Sequence, residues 1–147
     1  EALNWDWKDP DNTYGSRHHA ANIKRSGVSD RVRACVLLDM VGDKDLGLLR
    51  EAYSDRRLTE IFFDAARNAG LGAHVDVRRE EIRDDHLSFM NAGIPSIDLI
   101  DFDYGPHNAY WHTPKDTLEN CSAESLSIAG RIVLGGLVGV EKTFRRR

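Results

Sequence analysis

Asp84, Asp85 and His86 are adjacent in this sequence, and a second histidine, His112, sits between Trp111 and Thr113. Asp39 closes the apolar run CVLLD, while Asp101 and Asp103 follow the run SIDLI. Carboxylate oxygens with an imidazole nitrogen are the ligand set of a catalytic zinc, which takes three protein ligands and keeps one position open for water or substrate. Each residue also has a plainer use. An Asp ending a strand is more often a turn or cap residue, and Asp84 or Asp85 can simply cap a helix. His86 can donate to a backbone carbonyl, and His112, just before Thr113-Pro114, can be a satisfied loop histidine. His18 and His19 fall on a predicted helix surface, where solvation is the ordinary reading. One by one, these residues reach no further than a candidate metal site in an α/β domain.

Ligands of open α/β sheets bind outside the carboxyl ends of the strands, so the elements decide whether these groups converge. VRACVLLDMV is apolar and β-branched over a strand's length, and predicts a buried strand ending near Asp39. LGLLREA reads as a second strand, and TYGSRHHAANIK as a helix with Thr13 offering its N-cap oxygen. From Ser54 onward, Leu58, Ile61, Phe62, Ala65, Ala66 and Ala69 recur on one face at helical period. Ser54 or Asp55 can cap that helix, and Gly70 suits a left-handed stop. DDHLSFMNAG predicts a short helix with Leu87, Phe89 and Met90 inward, stopped by Gly93, before Pro95 leads into the strand SIDLI.

A last helix begins near Ser122, with Leu126, Ala129, Val133, Leu137 and Val140 on one stripe. Glycines 135, 136 and 139 inside it each cost about 1 kcal/mol relative to alanine. Close packing against a sheet is the expected reason for them. Helices alternating with apolar strands give an α/β class, a largely parallel sheet covered on both faces. That arrangement brings Asp39, Asp101, Asp103 and His112 to one sheet edge, with Asp84 to His86 starting the helix before the second of those strands.

The chain has 147 residues, 41% of them hydrophobic and 30% charged, the profile of one soluble domain or less with a core. A net charge of −4 gives no electrostatic case for nucleic acid. The terminal Arg145-Arg146-Arg147 reads as a solvated tail, and no apolar run approaches the roughly 18 residues of a membrane span. Cys35 and Cys121 lack CxxC spacing and read as two buried thiols. The chain starts at Glu1 without methionine, so a missing leader says nothing of compartment.

The stretches EAL, YGSRHHAA, LLDMVGD, DDHLSFMNAGIPSIDLI and WHTPKDTLEN, followed by the closing helix, resemble in order the later part of the zinc-dependent exopeptidase and glutaminyl-peptide cyclotransferase family. The resemblance covers nearly the whole chain. It implies a mixed, mostly parallel sheet with helices on both faces and a zinc at its carboxyl edge. In that family the ligands are an Asp from an early histidine-x-aspartate motif, the second Glu of a Glu-Glu pair, and the His of a W/Y-H-T motif. The resemblance places the last two at Glu1 and His112. The general acid/base Glu would precede Glu1, and the histidine-x-aspartate motif is not among these residues. Residues 1–147 are therefore expected to be the C-terminal part of one catalytic domain that needs its N-terminal part, and by themselves neither to hold zinc tightly nor to turn over substrate.

The family implies two enzymatic chemistries on peptide N-termini. Aminopeptidases hold two metals, with Asp39 as a ligand of the second, and hydrolyse the first peptide bond. Glutaminyl cyclases use one zinc on the γ-amide of an N-terminal glutamine, the substrate's own amine attacks, and ammonia leaves. There Asp39 joins an acid network with Asp84. Asp84-Asp85-His86, where aminopeptidases usually have Ser-Asp-His, and Trp111 before His112 resemble the cyclases more closely. Trp5 or Trp7 matches the cyclase Trp after the Glu-Ala pair, with Trp7 the expected one, so Trp7 and Trp111 would wall the substrate. The loop DFDYGPHNAY departs from the cyclase loop, with His107 or Tyr104 standing nearest its Phe. A further alternative is an inactive relative used as a binding domain. The resemblance also implies action on secretory or periplasmic peptides.

Overall fold

The run SIDLI becomes β4 (Ser96–Ile100), buried at every position as a continuous apolar run predicts. It belongs to a computed structural model that describes residues 8–145. Glu1, Trp5 and Trp7 lie outside the described residues. The other strands are β1 (Cys35–Asp39), β2 (Leu48–Glu51) and β3 (Val75–Glu80). The helices are α1 (Tyr14–Arg25), α2 (Arg56–Asn68), α3 (His86–Asn91) and α4 (Ala123–Thr143), joined by short 3₁₀ turns.

Both ladders are parallel, β1 with β4 and β2 with β3, and β2 lies against β4. Leu37 pairs with Asp98 and Asp39 with Ile100, so Asp39 reaches the carboxyl edge level with the end of β4. Past the end of β2, the β2–β4 seam is stitched from the loop before α2. Asp55 donates its N–H to the Ser96 carbonyl, and Asp98 donates its N–H to Ser54 Oγ. Among the described residues β1 is an edge strand, and Leu38 on it is 42% exposed.

Alternation along the strands sorts the two faces. Leu48, Ile97 and Leu99 pack with Leu58, Phe62 and Ile132 in a core beneath α2 and α4. Leu49 and Ile100 point the other way and pack with Ile82, on the side where α3 meets β1 and β4 and is backed by α1. Helices thus cover both faces, as the α/β reading requires.

Three local expectations change, and the choice of cap for α2 is decided. Thr13 precedes α1, but its φ of 46° turns it left-handed and its hydroxyl donates to Asn12 Oδ1 instead of capping. Asp55, not Ser54, caps α2, accepting from the Arg57 and Leu58 amides. In α3 the fully buried side chain is His86, while Leu87, Phe89 and Met90 are half-buried. In α4 the inward face is Ser125, Ile128, Ala129, Ile132, Gly136 and Val140, whereas Leu126 and Leu137 are exposed. That helix is apolar around much of its girth, so hydrophobicity alone does not mark the inward face. By length and a mean hydropathy of 1.4, α4 is long and apolar enough to cross a membrane, which the apolar-run estimate overlooked. One side of it packs against α2, while Leu126, Leu134, Leu137 and Val138 stay exposed.

The α4 glycines face α2, not the sheet. A Cβ on Gly136 would overlap the Phe62 ring, and one on Gly139 would lie 2.8 Å from Ile61 Cγ2. Gly130 has open space around it. Gly136→Ala is therefore expected to destabilise by about 1–3 kcal/mol through overpacking. Gly130→Ala should stabilise by up to about 1 kcal/mol through helix propensity. Urea midpoints of the two variants moving in opposite directions would check the contact.

Candidate active site

Asp39, Asp84, Asp85, Trp111 and His112 line one cleft of about 600 Å³ at the carboxyl edge of β1 and β4. β1 ends on Asp39, and Met40 after it takes a φ of 54°, turning the chain away from the strand at once. Asp84 and Asp85 immediately precede α3. Asp84 Oδ1 accepts the Asp85 N–H at 2.5 Å, so the acid pair is held by its own backbone. His112 also has a positive φ, 53°, a conformation uncommon for a residue with a Cβ and of the kind that clusters at functional sites.

The carboxyls of this cleft influence one another. Burial pushes Asp39 above the usual carboxylate range and the charge of Asp84 adds to it, while the Met40 amide and His112 pull it back. Burial also raises Asp84, opposed by the Asp85 amide and reinforced by the charge of Asp85. Both carboxyls thus hold a proton to a higher pH than a solvated carboxylate does.

Aromatic rings form one wall. Trp111 stacks on His112 with ring centroids 4.0 Å apart and an interplanar angle of 16°. Phe102 meets Trp111 edge-on at 5.5 Å and also lines the cleft. Phe102 was missed in the sequence, where the loop's aromatic was sought at Tyr104 or His107. Tyr104 does line the cleft but packs against Tyr110, and His107 does not line it.

Other candidates leave the site. Asp101 is buried and accepts from the Gly47 and Asp103 amides, a structural role. Asp103 pairs with Arg78 at 2.9 Å on the surface. Among the described residues no three His, Cys, Asp or Glu side chains form a metal site. Asp39 and His112 supply a carboxylate and an imidazole of the zinc-binding kind to the same cleft, short of the three ligands such a site takes.

The lining is acidic as well: Asp43, Glu80, Glu81 and Asp116 line the cleft, and among the described residues Arg83 is the one Lys or Arg that does. That field favours positive charge.

Comparison with known proteins agrees with this geometry. The glutaminyl-peptide cyclotransferase of Drosophila melanogaster is 25% identical over 150 residues, covering 86% of this chain and 42% of that protein. The crystal structure of an Acidobacteriales bacterium glutaminyl cyclase superposes with a TM-score of 0.92 at 39% identity, covering 97% of this chain and 50% of that one. A Zn-dependent exopeptidase from Parabacteroides distasonis gives a TM-score of 0.75 at 29% identity, covering 98% and 49%. The chain spans half or less of the length of each of these relatives. The model of peptidase family M28 matches residues 11–136, most of the sequence, and the chain belongs to that family.

Proposed function

We propose that the full-length protein is a zinc enzyme of peptide N-termini that cyclises N-terminal glutamine to pyroglutamate and releases ammonia. The observation that carries this reading is that Asp39 and Asp84 line one cleft, each carboxyl raised by burial and Asp39 raised further by the charge of Asp84. Cyclisation forms a bond between the substrate's α-nitrogen and its side-chain amide carbonyl carbon, Cδ, and breaks the Cδ–Nε bond. The net proton movement is from the attacking amine to the departing ammonia. A pair of carboxyls poised to share a proton suits that transfer. Trp111 and Phe102 would wall the compact glutamine side chain, with Trp7 as a further wall.

His112 and Glu1 would hold the zinc, which when bound polarises the amide carbonyl. The open edge of β1 would pair with strands from the preceding part of the domain, which would also supply the remaining ligand and the general acid/base. On this reading residues 1–147 alone neither hold zinc tightly nor catalyse. The reading also places the enzyme in a secretory or periplasmic compartment.

A specific observation favours a second reading. Asp39 and His112 face the same cleft, as they would if Asp39 held a second metal in an aminopeptidase. Incubating the full-length enzyme with a Gln-peptide and with aminoacyl peptides separates the two. Ammonia release with a pyroglutamyl product is expected. Release of free amino acids without ammonia would overturn the cyclase reading.

Asp84→Asn is expected to leave metal content unchanged and to lower turnover by about 10²-fold, the scale of a lost general acid/base contribution. The wild-type rate should fall on its acid side at a pH above the ordinary carboxylate value of about 4, because both carboxyls are raised. An Asp84→Asn enzyme with wild-type turnover would reduce Asp84 to a helix-start residue.

A further inference from the structure

Beneath the cleft lies a group that the proposed reaction does not use. His86, Glu51 and Asp98 have side chains with no exposed surface or nearly none, an arrangement rare for charged residues without partners. They come from three elements: His86 opens α3, Glu51 ends β2 and Asp98 is the middle of β4. His86 Nε2 lies 3.1 Å from Glu51 Oε2, and Nδ1 lies 3.7 Å from Asp98 Oδ2. The two carboxyls sit on opposite nitrogens of one ring, so the three side chains cannot close on a single cation.

The protons can be assigned from the donors present. Glu51 accepts from the amides of Tyr53, Ser54 and Ile82 and from the Ser54 hydroxyl, so both its oxygens are acceptors. Burial raises its pKa, but the nearby His86 ring and these donors overcome it and bring the carboxyl down to about 2. Neither ring nitrogen of His86 is aligned for a full hydrogen bond, but the one 3.1 Å from an ionised, acceptor-only carboxylate is the nitrogen that carries the hydrogen. Asp98 is the opposite case. Neither oxygen has a donor. Burial first, then the charges of Asp84, Asp39, Glu51 and Asp85, push it up to about 9. Near neutral pH it keeps its proton, and its Oδ2 stands 3.7 Å from Nδ1, an approach longer than a hydrogen bond that requires no hydrogen on that nitrogen.

Ser54 links the two ends, donating its hydroxyl to Glu51 while accepting the Asp98 backbone N–H. The titratable groups facing this cluster are Asp39 and Cys35 on β1 and the acid pair Asp84 and Asp85 before α3.

We propose that Glu51, His86 and Asp98 form a buried positioning triad, with His86 presenting Nε2–H to Glu51 and its bare Nδ1 to Asp98, which pins the start of α3 and holds Asp84 in the cleft beside Asp39. His86 is a positioning residue: it acts through Asp84, and it follows Asp84 by two places in the sequence. The assignment deepens the proposed function only in giving Asp84 a chemical task; the ring's protonation stands apart from the reaction.

Nitrogen-15 NMR of the histidine rings in the metal-free, full-length protein at neutral pH tests it directly. A protonated Nε2 and an unprotonated Nδ1 on His86 are expected; an Nδ1–H tautomer, or a ring protonated on both nitrogens, would overturn the triad. Three variants test the positioning. The amide of His86→Gln can reach the Nε2 place and donate to Glu51, while His86→Asn reaches only the Nδ1 side and His86→Leu donates nothing. His86→Gln is expected to keep kcat within about threefold, and the other two to lose about 100-fold with little change in KM, the scale of a misplaced catalytic group. Equal losses in all three would mean that His86 only fills space. If His86→Leu does not fold, the wild-type tautomer and the Gln–Asn contrast still decide the matter. The proposed tautomer in a protein that turns over neither Gln-peptides nor aminoacyl peptides would refute the proposed function and leave the triad standing.

Discussion

Replacing His112 with alanine in the full-length protein is expected to abolish both metal binding and turnover. The physical case begins with position. His112 shares the cleft with Asp39 and Asp84, its ring is braced by stacking on Trp111, and its backbone is held at a φ of 53°. Stacking on Trp111 restricts the ring's freedom before any metal binds, a form of the preorganisation a metal ligand needs. Losing an outer-shell partner of a metal ligand typically costs about 10–100-fold in affinity or activity, so losing a ligand itself should exceed about 100-fold. Metal analysis of the purified variant and an ammonia-release assay read the two effects separately. A variant that retains full metal stoichiometry would remove His112 from the ligand set, whatever happens to the rate. Trp111→Ala provides the contrast: it should leave metal in place, weaken substrate binding, and let the His112 ring wander, so KM rises more than metal affinity falls.

How much of this was legible in the sequence varied with the physics of each segment. α2 has a single apolar face at helical period, and β4 is apolar except at Ser96 and Asp98, so both could be read directly. β3 could not, because VDVRRE is mostly polar and its side chains are largely exposed. Its place in the sheet is set by pairing with β2, information that no local pattern carries. The inward face of α4 was misjudged for a related reason. Leu126, Leu134, Leu137 and Val138 leave its outer side nearly as apolar as its inner side. The glycines decide the orientation through contact with Phe62 and Ile61, which are distant in sequence.

The site shows the same division. Asp39, Asp84, Trp111 and His112 sit in short local motifs, and the fold brings all of them to one cleft. Phe102 stands outside those motifs and had no signal beyond being aromatic after a strand. Glu51 and Asp98 were hidden in a different way. A charged residue inside the buried run SIDLI was a visible anomaly, yet its partner His86 and the distant Glu51 could be joined to it only in three dimensions.

Glu51→Gln should therefore be the most destabilising single change among the charged residues of the cleft and the triad, with a pH dependence whose sign follows from the lowered carboxyl. The folded-state value is about 2, against an ordinary value of about 4.3 in an unfolded chain. A carboxyl lowered on folding adds stability above the unfolded value, and that stability is lost as pH falls through the folded one. A difference of roughly two units corresponds to about 3 kcal/mol. The substitution also turns an amide N–H₂ toward donors that now have no acceptor, the Ser54 hydroxyl and backbone amides among them. Breaking a buried charged pair from one side commonly costs about 3–5 kcal/mol, so a loss of that size is expected at pH 7. Urea denaturation of the wild type and variant from pH 7 downward should show the gap holding to about pH 5 and narrowing between about 4 and 2. A gap that stays constant over that range would mean that Glu51 stabilises the fold by shape and hydrogen bonding alone. The pinning of α3 would then have to come from its apolar contacts and not from the charge buried beneath it.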